Sequence, residues 1–182
     1  MTHATGALSG LRVIDMTRVI AGPYATQTLG DFGAEVIKVE RPGEGDDVRR
    51  IGPPWMTGAD GKPEVGRSTY YQAVNRNKKS ISVNYAEPEG RALLQQLIAD
   101  ADVLVENYRP GTLTRHGLGP VEMLALNPRL IYCSVSGFGQ DGPYAGRSGY
   151  DYLAQAMAGA MSVTGHPDGH PGAGPMRVGV PL

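Results

Sequence analysis

The sequence predicts an α/β domain with a mainly parallel sheet flanked by helices. Two observations carry this. Short apolar runs alternate along the chain with amphipathic or small-residue stretches, and strands separated by helices favour parallel crossover connections. Apolar residues make up 41% of the 182 and charged residues 19%, which allows a sizeable core and argues against disorder. No repeat at a solenoid period accompanies the alternation.

The elements follow in order. Leu11 to Met16 (LRVIDM) is short and mostly apolar, as a buried strand is. In AGPYATQTLGDFGA, Pro23 suits a first helical turn and Gly30 or Gly33 suits the exit. Ala34 to Glu40 (AEVIKVE) and Ser80 to Val83 (SISV) read as the second and third strands. Pro88 to Asp100 is the clearest helix, because Leu93, Leu94, Leu97 and Ile98 form one stripe. Val103 to Glu106 and Leu130 to Val135 are further strands, with a short helix over Val121 to Leu126 between them, ending at Asn127-Pro128. Arg41 to Thr69, rich in Gly, Pro and charge, reads as a long loop, and such loops are more often functional than idle. Tyr150 to Val163 is helix-like within a glycine-rich tail. The final PMRVGVPL, Pro175 to Leu182, reads as the start of an element.

Composition excludes several classes. With 17 basic and 18 acidic residues the net charge is -1, so no global basic field draws the chain to nucleic acid or anionic membrane. The single cysteine, Cys133, leaves no internal disulfide framework and fits a reducing compartment. The N-terminus has no secretory pattern, and no window approaches the roughly 20 apolar residues of a membrane span. A cytoplasmic location is expected.

Few motifs carry chemistry by themselves. Gly137 to Gly142 (GFGQDG) matches G-x-G-x-x-G after a strand, but Pro143 and more glycine follow where a phosphate-holding helix should begin. A glycine-rich turn is the better reading. His166 and His170 lack companions for a metal site, and no metal is expected. Cys133 lies between apolar residues, as a buried small hydrophobe does. The cations Arg18, Lys38, Arg41, Arg76, Lys78, Lys79, Arg109 and Arg115 flank strands. They either scatter as solvated charges or converge on a polyanion at the sheet's carboxyl edge.

Longer words decide between these. RVIAGPYATQTLGDFGAEVIKVERPGEGD, NRNKKSISVN, ADVLVENYRPGTLTRHGL, LNPRLIYCSVSGFGQDGPYAGRSGYD and AMAGAMSVTG occur in this order. From about Leu8 onward the chain resembles the N-terminal part of the family III CoA-transferases, a group that includes formyl-CoA transferase, carnitine and bile-acid CoA-transferases and the related α-methylacyl-CoA racemases. The resemblance implies a Rossmann-like large domain, with residues 1–182 forming its N-terminal, coenzyme A-binding portion. The small domain and the C-terminal half would lie beyond Leu182.

The resemblance also assigns roles. Arg18, Val19, Ile20 and Ala21 match the loop along coenzyme A near the thioester. Arg41 matches an arginine at the adenine and phosphate end, and Val83 an apolar residue lining the adenine site. Asn107 matches a pantetheine or phosphate contact, and Arg115 a second phosphate-binding arginine. Arginine forks suit these phosphates. Arg18 and Ile20 replace the histidine and glutamine of formyl-CoA transferase, which argues against formyl or oxalyl specificity. The implied reaction moves coenzyme A between an acyl-CoA and a carboxylic acid through an aspartyl anhydride and an aspartyl thioester, with no tightly bound cofactor. In the family a catalytic aspartate follows RVGVPLV, so the nucleophile is expected two residues past Leu182 and the 182 residues alone are expected to be inactive. Tyr150 and Asp151 match supporting groups beside that nucleophile. The racemases carry His-Asp there, and tyrosine is a poor base near neutrality because its ordinary pKa is about 10. The family's homodimers interlock two ring-shaped subunits, an assembly in doubt for these 182 residues. Two alternatives stay open at this point: an acyl-CoA racemase, and a catalytically empty coenzyme A-binding or interaction module.

Overall fold

The computed structural model describes residues 6–179. It divides into two compact units, Met1–Val135 and Ser136–Leu182. The first carries β1 (Arg12–Met16), α1 (Ala21–Asp31), β2 (Glu35–Glu40), a 3-10 turn (Asp47–Arg50), β3 (Trp55–Thr57), β4 (Pro63–Ser68), α2 (Thr69–Asn75), β5 (Lys79–Ser82), α3 (Pro88–Ala99), β6 (Val103–Glu106), a 3-10 turn (Thr114–His116), α4 (Pro120–Leu126) and β7 (Ile131–Ser134). Five strands form a parallel sheet in the order β5-β2-β1-β6-β7. Numbered by their own sequence order this is 3-2-1-4-5, the doubly wound Rossmann arrangement, which reverses direction between β1 and β6.

The central strand explains the layering. Alternation along β1 sends Ile14 and Met16 to one face, where Leu94 and Ile98 of α3, Leu104, Leu118 and Met123 of α4 complete a core. Val13 points the other way and meets Ala34, Val36 and Val105, with Leu29 of α1 packed against them. Both faces of β1 are therefore covered, as the mostly apolar run LRVIDM requires. In α3 the stripe is narrower than its sequence implies: Leu94 and Ile98 are fully buried, whereas Leu93 is 46% exposed.

Two expectations need correction. The stretch from Arg41 to Thr69 is not structureless: it holds the Asp47–Arg50 turn and the antiparallel β3–β4 ribbon, and α2 opens at Thr69. Its strands are short and largely exposed, so no alternating apolar pattern announced them. The Ser68 hydroxyl caps α2 by accepting from the Tyr71 N–H. Cys133 is exposed rather than buried. It lies on β7, the last strand in the order of the described sheet, where Ile131 on the same face is exposed too.

In the second unit the helical run from Tyr150 splits into α5 (Asp151–Met157) and a 3-10 turn (Ala160–Ser162). Gly159 breaks it at φ 79°. The GFGQDG segment forms bends and is followed directly by a turn, not by a helix. Gly137 and Gly149 approach so closely that a Cβ on Gly137 would lie 2.3 Å from the Gly149 Cα. Of the apolar residues Val178, Val180 and Leu182 in the final segment, the last two lie outside the described residues.

Candidate functional site

In a doubly wound sheet, ligands sit beyond the carboxyl ends of the strands, at the point where strand order reverses. Here that point lies between Thr17, after β1, and Asn107, after β6. Asn107 clasps the backbone across it: its Oδ1 accepts from the Arg18 N–H at 2.8 Å and its Nδ2 donates to the Arg18 carbonyl at 2.8 Å. The Arg18 guanidinium stacks over the Tyr108 ring, 5.3 Å from its centroid. Next comes Val19, a β-branched residue at φ 71°. Ile20 precedes α1 and Ala21 opens it.

A cavity of about 250 Å³ lies at this edge. Its lining includes the cations Arg18, Lys38 and Arg41, the carboxylates Glu40 and Asp46, and the apolar or aromatic Val83, Tyr85, Tyr108 and His116. Tyr85 meets Tyr108 and His116 edge-on, at centroid distances of 5.8 and 5.3 Å. Burial, with Tyr85 alongside, pushes the Tyr108 phenol well above its usual range, so it stays neutral. At the mouth, Asp47 pairs with both arginines, 3.2 Å from Arg18 and 3.0 Å from Arg41, and Glu44 reaches Arg41 at 2.8 Å. These pairs are about half exposed, a class worth roughly 0–1 kcal/mol each. A polyanion can displace them at little cost.

The two buried carboxylates brace the wall. Glu40, 6% exposed, receives Arg49 Nε, Arg49 Nη2, the Tyr71 and Ser80 hydroxyls and the Asp46 N–H. Gly45 allows the approach: it sits at φ 68°, and a Cβ there would lie 2.7 Å from Glu40 Oε2. Burial by itself would raise the Glu40 pKa; bonds from Arg49, Ser80, the Asp46 N–H and Tyr71 outweigh it and hold the carboxyl at about 2. The folded pKa thus lies below the unfolded value of 4.5, so the stabilisation is complete above pH 4.5 and is lost as pH falls towards 2. It amounts to about 3 kcal/mol. Urea unfolding between pH 7 and pH 2 should show this loss, and Glu40→Gln should flatten that part of the profile. An unchanged profile in the variant would contradict the assignment.

The second buried carboxylate, Asp46, pairs with Lys38 at 2.9 Å, both side chains being at most 1% exposed. The contact is an ion pair rather than a directed hydrogen bond to Asp46 Oδ2.

The family model described as CoA-transferase family III matches residues 8–182. The chain belongs to CoA-transferase family III. A succinate–glutarate CoA-transferase of Agrobacterium fabrum is 52% identical over 180 residues, which are 99% of this chain and 44% of the relative. An acetyl-CoA:oxalate CoA-transferase of Acetobacter aceti is 47% identical, over 91% of this chain and 40% of the relative. The crystal structure of a CaiB/BaiF family protein from Brucella suis superposes with a TM-score of 0.87 at 46% identity, covering 96% of this chain and 44% of that one. The chain therefore spans less than half the length of these relatives. The Agrobacterium and Acetobacter relatives are named as CoA-transferases, and the racemase alternative is not favoured.

Within this family III chain, the residues expected at the ligand fall into three groups. Arg18, Arg41 and Val83 line the cavity. Asn107 acts behind it, on the Arg18 backbone; Val19, Ile20 and Ala21 continue the same loop without forming the cavity wall. Arg115 is exposed on the 3-10 turn Thr114–His116, one residue before His116, and is not part of the wall. The expected convergence of cations holds for Arg18, Lys38 and Arg41; Arg109, like Arg115, is not part of the wall, and the other three lie away from it. Arg76 pairs with Asp31 at 2.6 Å, Lys79 pairs with Glu35, and Lys78 is buried on Asp15. Arg76 and Lys78 stand before β5 and Lys79 opens it, so all three belong to the opposite, amino edge of the sheet.

Tyr150 and Asp151 lie in the second unit. Tyr150 is 74% exposed. Asp151 Oδ2 accepts from Gln155 Nε2 at 2.9 Å, and the buried Gln155 amide accepts the Val178 N–H at 2.8 Å. Among the described residues no group of three or more His, Cys, Asp or Glu side chains could hold a metal, and no helix is long and apolar enough to cross a membrane.

Proposed function

We propose that these residues form the coenzyme A-binding part of an enzyme that moves coenzyme A between an acyl-CoA and a carboxylic acid. The observation that carries the reading is a cavity at the Rossmann switch point lined by both cations and aromatic side chains, in a family III chain. At about 250 Å³ the cavity is smaller than the roughly 300–1,000 Å³ of a drug-sized ligand site. It suits one end of an extended molecule. Val83 and the Tyr85–Tyr108 wall suit the adenine, and Arg18 and Arg41 suit the phosphates. Arg115, outside the wall, contributes less than Arg41.

The chemistry proposed is covalent catalysis by a carboxylate. An aspartate attacks the thioester carbonyl, expels the coenzyme A thiolate and forms a mixed anhydride. The thiolate then attacks the aspartyl carbonyl, releasing the first acid and leaving an aspartyl thioester. The acceptor carboxylate attacks that thioester, and the thiolate, expelled again, takes the acyl group from the new anhydride. The aspartate proposed is the second residue after Leu182, with Tyr150 and Asp151 supporting the reacting carboxylates. The relatives' names support short dicarboxylic acids as the acid partners.

A thioester-exchange assay with hydroxylamine trapping tests this. Protein extended through that aspartate and the C-terminal half is expected to pass coenzyme A from succinyl-CoA to glutarate and to yield trapped adduct. The 182 residues alone are expected to yield none, because removing a covalent nucleophile closes the anhydride route. Adduct on the 182-residue chain would overturn the position given to the nucleophile.

A further inference from the structure

Val19 holds a left-handed backbone, at φ 71°, that β-branched residues rarely adopt. Such a conformation persists only where the surroundings over-determine it, and it clusters at functional sites. The surroundings here are specific. Asp46 Oδ1 accepts the Val19 N–H at 3.1 Å. Lys38 Nζ donates to the Thr17 carbonyl at 2.9 Å and pairs with Asp46. Asn107 takes both backbone groups of Arg18. Side chains from three other parts of the chain thus hold the backbone from Thr17 to Val19. The same Asp46 Oδ1 also accepts the Val48 N–H at 3.1 Å, and the Asp46 N–H is fixed on Glu40. One carboxylate therefore ties the loop that carries Arg18 to the turn that carries Asp47.

We propose that Asp46 and Lys38 are positioning residues for coenzyme A, holding the loop after β1 so that the Arg18 guanidinium faces the ligand's phosphates. The proposal rests on the coenzyme A reading of the cavity. A stability role alone explains the pair poorly, because a buried ion pair usually stabilises no better than apolar residues of the same volume. Its geometric consequence is fixed: remove the acceptor on Val19 and the loop is free to leave φ > 0. Both residues line the cavity, but the role proposed acts through the loop they hold. Preorganisation of this kind acts on affinity by sparing the ordering cost at binding.

The test separates charge from geometry. Lys38→Met/Asp46→Asn removes both charges and keeps an oxygen for the Val19 N–H. Lys38→Met/Asp46→Leu removes both charges and the oxygen, and Lys38→Met/Asp46→Ala is a smaller version should the leucine not fold. Coenzyme A affinity is measured by calorimetry on the 182-residue chain, and hydrogen exchange of the Val19 amide reports the loop. The acceptor-free pair is expected to bind about tenfold more weakly than the asparagine pair, near the loss of one good hydrogen bond, and to lose Val19 protection. Equal affinity in the two pairs, or weaker binding with Val19 still protected, overturns the positioning role. A wild-type chain that protects Val19 and binds no coenzyme A instead overturns the ligand reading, and this role falls with it.

Discussion

Lys78→Met is expected to destabilise the protein by about 3–5 kcal/mol, the range for breaking one side of a buried ion pair. Lys78 Nζ lies 2.8 Å from Asp15 Oδ2, 2.8 Å from the Pro23 carbonyl and 2.9 Å from Asn75 Oδ1, so one ammonium joins β1, α1 and α2. Both side chains of the pair are at most 1% exposed. Burial opposes charge on each. For Asp15, Lys38 and Lys78 with the bonds from Lys78 and Thr17 outweigh burial and hold the carboxyl below its ordinary range. For Lys78, burial wins in part and lowers the ammonium's pKa despite Asp15. Methionine fills similar volume but leaves Asp15 with one cation fewer and Asn75 Oδ1 without the Lys78 donor. Urea unfolding at neutral pH gives the loss directly. Lys78→Met/Asp15→Asn should recover part of it, because no unpaired charge then remains. A loss below about 1 kcal/mol, the level of a solvated surface pair, would mean that water reaches the network.

The sheet was legible because its signals are local. LRVIDM, AEVIKVE and VLVE are apolar runs of strand length, and each became a strand within a residue or two. The Leu94–Ile98 spacing marked α3 in the same way. The β3–β4 ribbon was not legible: two short, exposed strands leave no periodic trace, and their pairing depends on a register that the sequence does not spell out. Cys133 was misjudged because apolar neighbours signal burial only in a strand covered on both faces, and β7 is the last strand in the order of the described sheet. At the site, residue words matched to a known family pointed to Arg18, Arg41, Val83 and Asn107. They gave no hint that Lys38 is fully buried or that Asp46 fixes Val19. Both effects arise from contacts between segments 8 to 27 residues apart, where side-chain direction decides what meets. The nearest signal was a lone lysine inside an apolar strand, which is rarely fully buried unless paired.

The central claim, that the cavity beyond β1, β2 and β6 receives coenzyme A, has a direct test in calorimetric titration of the 182-residue chain. The account predicts saturable binding of one coenzyme A per chain. Arg18→Ala and Arg41→Ala should each weaken it at least tenfold, since a charge-assisted phosphate contact is worth about 1.5–3 kcal/mol. Arg115→Ala should weaken it less, and adenosine 3′,5′-bisphosphate should compete. A chain that is folded by circular dichroism yet gives no binding, or that binds with affinity indifferent to Arg18 and Arg41, would contradict the account.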